Sequence, residues 1–122
     1  MRYFQIGLLL VLVVTFGAAG LTKLVSAAIF YEQFAHFGLP GWIVYLTGAV
    51  ELSGAALLAS FDETRRRLGA AMLAITMAVA TSLHLLYDPF ALALPAFLLM
   101  LIAGGVALVP LRKHTGRAPA GA

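Results

Sequence analysis

The sequence predicts an all-α polytopic membrane protein. It is a single four-helix bundle with both termini cytoplasmic and an amphipathic interfacial connector between helices 1 and 2. Three observations carry this reading. First, 62% of the 122 residues are hydrophobic, 11% are charged and mean hydropathy is +1.00, too little polar surface for a soluble domain of this length. Second, four apolar runs, about 3–29, 42–60, 68–87 and 89–109, match a hydrocarbon core about 30 Å thick at 1.5 Å per residue. They place one transmembrane domain over 1–110 and leave 111–122 as a basic tail expected to be disordered. Third, four spans put Arg2, Arg65, Arg66, Arg67, Arg112, Lys113 and Arg117 on one side, with only Lys23 opposite. Positive charge marks the cytoplasmic face.

The same composition bounds function. A pI near 9.7 would suggest nucleic acid in a soluble protein. Here the basic residues flank apolar runs, so orientation accounts for them and no nucleic-acid partner is expected. The chain has no cysteine, which excludes disulfides, thiol relay and thiolate metal sites within it.

The first run, 3–29, opens with one Arg and an apolar stretch and passes through Gly17-Ala18-Ala19. It also resembles a signal peptide, but its apolar character continues past Ala19. Thr22, Lys23 and Ser26 make its end polar. In the connector FYEQFAHFGLP (30–40), Phe30, Phe34 and Phe37 recur at i, i+4 and i+7. This spacing predicts an amphipathic helix at the interface or a continuation of helix 1. Gly38 and Pro40 stop it. Trp42 and Tyr45 start the second span at the aromatic belt.

That second span, WIVYLTGAVELSGAALLAS (42–60), holds an acid at its middle, Glu51. An acidic residue there costs roughly 2.5–3.5 kcal/mol on insertion scales. Thr47, Gly48, Gly54 and Ala55 lie at i−4, i−3, i+3 and i+4, so the acid sits on a stripe of small residues that admits a neighbouring helix. Glu51 is therefore expected to face the bundle interior. In the hairpin FDETRRR (61–67), Asp62 is the expected N-cap of the third helix and the three arginines anchor topology or meet anionic lipid or phosphate. Asp88-Pro89 reads as an N-cap and first helical position for the fourth span. Pro95 is then a kink inside that span, and Gly104-Gly105 a place for close packing.

Lys23, Glu51 and His84 fall in the outer half of the bilayer. Glu51 lies about 13 Å below the outer interface, and longer side chains reach toward it along the helix axes. A Lys–Glu–His cluster follows, with Thr47 and Thr81 among its hydrogen-bonding neighbours and Tyr31, Phe34, His36 and Trp42 at a pocket mouth. Alternatives stay open: the cluster only ties helices together, Lys23 snorkels to the interface, or His84 is solvated. An acid, an imidazole and aromatic walls suit a flat apolar ligand with polar ends, such as a quinone head group, or proton relay. No hydrolytic triad is placed, the ligands are too few for a metal, and no certain cofactor follows.

The segments AAGLTKL (18–24), HFGLPGW (36–42) and TGAVELSGAALL (47–58), with the alanine-rich third helix ending in His84, resemble the DoxX-like membrane proteins. The resemblance implies a small four-helix protein of the bacterial inner membrane. The family name comes from subunits of terminal quinol oxidase and thiosulfate:quinone oxidoreductase systems. Other relatives are linked to oxidative-stress complexes or to membrane-protein assembly. Lys23, Glu51 and His84 match its polar positions. The function expected from both readings is an accessory of a redox or respiratory, quinone-linked system that binds a small apolar ligand at the buried cluster. If it is an enzyme, it is a quinone-linked oxidoreductase subunit. Two other readings are a structural or assembly subunit without ligand and, against a poorly polar inner half, a small proton-coupled transporter. A homo-oligomer through the GAAG stretch or Gly104-Gly105, or a larger membrane complex, is a further expectation.

Overall fold

The computed structural model describes residues 2–109, all of them in helices, turns and short connections. Met1 and residues 110–122, which include the expected basic tail, lie outside the described residues. Five α-helices follow in order: α1 (Arg2–Val25), α2 (Ala28–His36), α3 (Trp42–Leu58), α4 (Glu63–Tyr87) and α5 (Leu94–Leu108), with a 3₁₀ turn at Phe90–Ala93 before α5. Helices α1, α3, α4 and α5 pack in cyclic order, each against the next, and α2 lies on α3.

Three stretches, Tyr3–Val25, Glu63–Tyr87 and Phe90–Leu108, are long and apolar enough to cross a membrane. Helix α3 is apolar but has only 17 residues, about 25 Å at 1.5 Å per residue. In the three long stretches only 17–22% of the hydrophobic window is buried within the chain. Val14, Ile75, Leu86, Leu98 and Leu108 all point outward, an apolar exterior that lipid accepts and water does not. The core is correspondingly small: Leu12, Phe16, Leu58 and Leu73 are fully enclosed, with Ala55, Ala70, Met77, Ala96 and Ala103 packed around them.

Small residues set how closely the helices cross. A Cβ at Gly20 of α1 would stand 2.6 Å from the Leu52 nitrogen of α3, and one at Gly69 of α4 would stand 2.6 Å from the Gly54 oxygen. Backbone therefore meets backbone on both sides of α3, as small-residue packing between membrane helices allows. Glu51 lies between these two crossings. Gly20, in the GAAG stretch, is thus spent inside the chain. A Cβ at Gly104 or Gly105 would have nothing within 4 Å, so the close packing expected there is not made within the described residues.

The helix ends depart from the sequence reading in two places. The first run does not continue as one helix to residue 29. It breaks at Ser26-Ala27, where Ser26 N–H closes on the Thr22 carbonyl and Phe30 N–H on Ala27. Thr22 donates its hydroxyl to the Ala18 carbonyl one turn back, a bond that competes with the backbone ladder and bends helices. The fourth run does not begin as a helix at Pro89. Asp88 is instead the C-cap of α4, Pro89 opens the 3₁₀ turn, and Pro95 falls in the first turn of α5. Proline lacks an N–H that the first turn does not use, so it starts the helix and introduces no internal kink.

Other ends follow the sequence. The Asp62 carboxylate accepts from Arg65 N–H at 3.1 Å and caps α4. Gly38, at φ +76°, ends α2: its N–H closes on Ala35 O and that of Leu39 on Phe34 O, both at 2.9 Å, the paired closing bonds of a left-handed helix stop. Leu39 then packs beside buried Phe34, Ala27 and Val44, which fixes the connector on the bundle as the phenylalanine spacing predicts.

Candidate functional site

Lys23 and Glu51 meet. The Lys23 Nζ lies 2.8 Å from the Glu51 Oε1, joining the end of α1 to the middle of α3. Glu51 is 3% exposed. At 2.8 Å the lysine ammonium is a charge-assisted partner of the carboxylate oxygen. Lys23 also places its ammonium 4.9 Å from the Phe30 ring centre, a cation–π contact that holds it over the connector. The Gly20–Gly48 crossing makes the pair possible, because a Cβ at Gly48 would stand 2.9 Å from the Lys23 Cβ.

The pair borders a cavity of about 540 Å³ that opens between α2, α3, α4 and the start of α5. Lys23, Glu51, His84, Thr47 and Phe34 all line it, as do Phe37, Leu46, Thr76, Met77 and Pro95. Its volume lies within the range of small-molecule sites, which combine apolar walls with a few polar groups.

The expected three-member cluster is divided, however. His84 borders the cavity but binds Asp88: its Nδ1 is 2.7 Å from one carboxylate oxygen, and His36 Nε2 is 2.8 Å from the other. Two imidazoles thus share one acid and tie α2 to the end of α4. Phe37 packs edge-on to His84, with ring centres 5.2 Å apart. Desolvation works to raise the Asp88 carboxyl, but the hydrogen bonds from His84 and His36 outweigh it and hold the group below the usual carboxylate value. The three are not arranged as a metal-ligand set.

The remaining expected residues are placed as follows. Thr47 lines the cavity but donates its hydroxyl to Ile43 O. Thr81 is buried, donates to Met77 O and does not line the cavity. Both bonds run one turn back, so these hydroxyls satisfy their own helices. At the connector, Tyr31 pairs with Tyr45 through their hydroxyls at 3.2 Å, Trp42 points outward, and His36 turns to Asp88. Of the four expected mouth residues only Phe34 borders the cavity. Asp88, Phe37 and Thr76 were not expected in this region. The spacing of His84 and Asp88, four apart on one helix face, was the signal for the first.

Fold and site together define a small integral membrane protein with a polar pair buried beside an apolar cavity. The sequence matches the DoxX-like family over residues 7–105, most of the chain, and the protein belongs to that family. No curated protein and no solved structure matches it.

Proposed function

We propose that the Glu51 cavity binds a small apolar ligand of the quinone or quinol class, and that the protein is an accessory of a quinone-linked redox system in the bacterial inner membrane. In this reading α3 is the fourth membrane span, both termini are cytoplasmic, and the cavity faces the outer half of the bilayer. The observation that carries it is the place of the Lys23–Glu51 pair: a buried carboxylate and its ammonium stand together at the wall of a largely apolar cavity. A carboxylate has more lone pairs than one ammonium fills, and a buried one calls for further donors. The quinol hydroxyl donates to the carboxylate, the Lys23 ammonium donates to a carbonyl of the oxidised quinone, and in both forms the apolar walls take the ring and the start of a side chain.

Equilibrium binding of a short-chain quinone and its quinol to the full chain in nanodiscs tests this. Saturable binding of the quinol to the wild type, weakened roughly tenfold or more in Glu51→Gln as expected for one charge-assisted hydrogen bond, supports it. Equal binding by both proteins, or none by either, contradicts it.

A second reading also has a specific observation behind it. The Lys23–Glu51 pair spans α1 and α3 beside their closest crossing, so it fastens two helices whether or not a ligand binds. A structural or assembly subunit would use it in that way.

A further inference from the structure

A second cavity, about 280 Å³, lies at the opposite end of the bundle among the start of α1, the start of α4 and the end of α5. Its walls are apolar, from Phe4, Leu8, Leu101 and Val106, and Arg66 and Arg67 stand at its border. Both guanidiniums are held in place by the scaffold. Arg66 donates from Nη1 to the Ser60 and Phe61 carbonyls, and Arg67 donates from Nε at 2.7 Å to Ala107 O in the last turn of α5. Each guanidinium has five N–H donors, so these bonds leave further donors on both. Glu63 shares the border, and one carboxylate against two guanidiniums leaves it cationic.

We propose that this groove is an anionic phospholipid site, with the phosphate held by Arg66 and Arg67 and an acyl chain laid along Phe4, Leu8, Leu101 and Val106. It does not rest on the quinone reading. Charge selects the occupant: residues 111–122 carry Arg112, Lys113 and Arg117 and would be repelled, and a second copy would bring the same arginines. A phosphodiester with an apolar chain matches both halves of the site, since guanidinium forks fit phosphate and basic pockets between membrane helices take anionic head groups.

Gly105 offers a variant at the groove wall with room for a side chain to start. Gly105 borders it, and a Cβ there meets nothing within 4 Å. The full chain in detergent is titrated by native mass spectrometry with phosphatidylglycerol, with phosphatidylcholine of the same acyl chains, and with inorganic phosphate. The wild type is expected to retain phosphatidylglycerol in preference to phosphatidylcholine. Arg66→Gln is expected to weaken that binding roughly tenfold, and Gly105→Leu by a similar factor through lost chain contact, with its thermal midpoint not lowered. Arg65→Gln, outside the groove, keeps wild-type binding. An equal loss in Arg65→Gln would show a diffuse basic surface and overturn the proposal. So would phosphatidylglycerol binding untouched by Gly105→Leu, which would indicate a head-group or free-phosphate contact only, or no preference between the two lipids.

Discussion

Gly48 and Lys23 face each other across α1 and α3 so closely that a Cβ at the glycine would lie 2.9 Å from that of the lysine. The contact brings the lysine stem down the helix axis and sets its ammonium on Glu51, 2.8 Å away. The small-residue crossing and the ion pair are one device: the first brings the backbones together, and the second satisfies the charge that the bundle encloses.

Removing one member of the pair leaves the other alone. Lys23→Met and Glu51→Gln are each expected to lower stability by about 1–3 kcal/mol, below the ~3–5 kcal/mol of a fully enclosed pair because Lys23 keeps a path to the interface. The double replacement Lys23→Met/Glu51→Gln removes both charges and is expected to lose less than the sum of the single replacements. Reversible unfolding in mixed micelles measures this. Additive losses would mean that the two charges do not interact.

Two sets of glycines are expected to behave in opposite ways. Gly69→Ala drives a methyl into the Gly54 carbonyl, and separating α3 from α4 is expected to cost about 1–3 kcal/mol, as overpacking does. Gly104→Ala meets open space and is expected to be neutral or to stabilise by up to ~1 kcal/mol through helix propensity. Thermal midpoints of both variants in one detergent give the comparison.

The His36–Asp88–His84 tie is expected to fail in acid. The Asp88 carboxyl is held below its ordinary value in the folded protein, so the unfolded chain binds the extra proton first as pH falls. The stability this group contributes is therefore complete above the ordinary carboxylate range, near pH 4, and is lost as pH drops through the lowered folded value. Hydrogen-exchange protection of the α2 amides, taken relative to the intrinsic exchange rate at each pH, is expected to fall between about pH 6 and pH 3 in the wild type. In Asp88→Asn, that part of the pH dependence is expected to be absent.

How much of this was legible in the sequence depends on the range of each interaction. The apolar runs, the Asp62 cap and the Gly38 stop are local, and the structure follows them. The inward face of Glu51 was legible because the small residues around it recur at helical spacing, whereas the sequence left Lys23 free to pair or to snorkel and the tertiary contact decides for pairing. The His84 partner was not legible, since Asp88-Pro89 carries a strong local signal for a helix start. That signal competed with a tertiary demand, because His36, 52 residues away, shares the same carboxylate. Thr81 was expected at the site from its polarity alone, yet its hydroxyl is taken up by its own helix. The Arg67 bond to Ala107 joins elements 40 residues apart and leaves no pattern in the sequence.

A ligand-holding Glu51 cavity is what separates a binding protein from a helix fastening. Native mass spectrometry with lipid extraction, applied to purified wild type and Glu51→Gln, tests for that ligand most directly. A quinone-class molecule is expected to co-purify with the wild type and to be lost from the variant while its helical content persists. An empty wild-type protein, with a variant that is only less stable, would contradict that expectation and leave the pair as a fastening between α1 and α3.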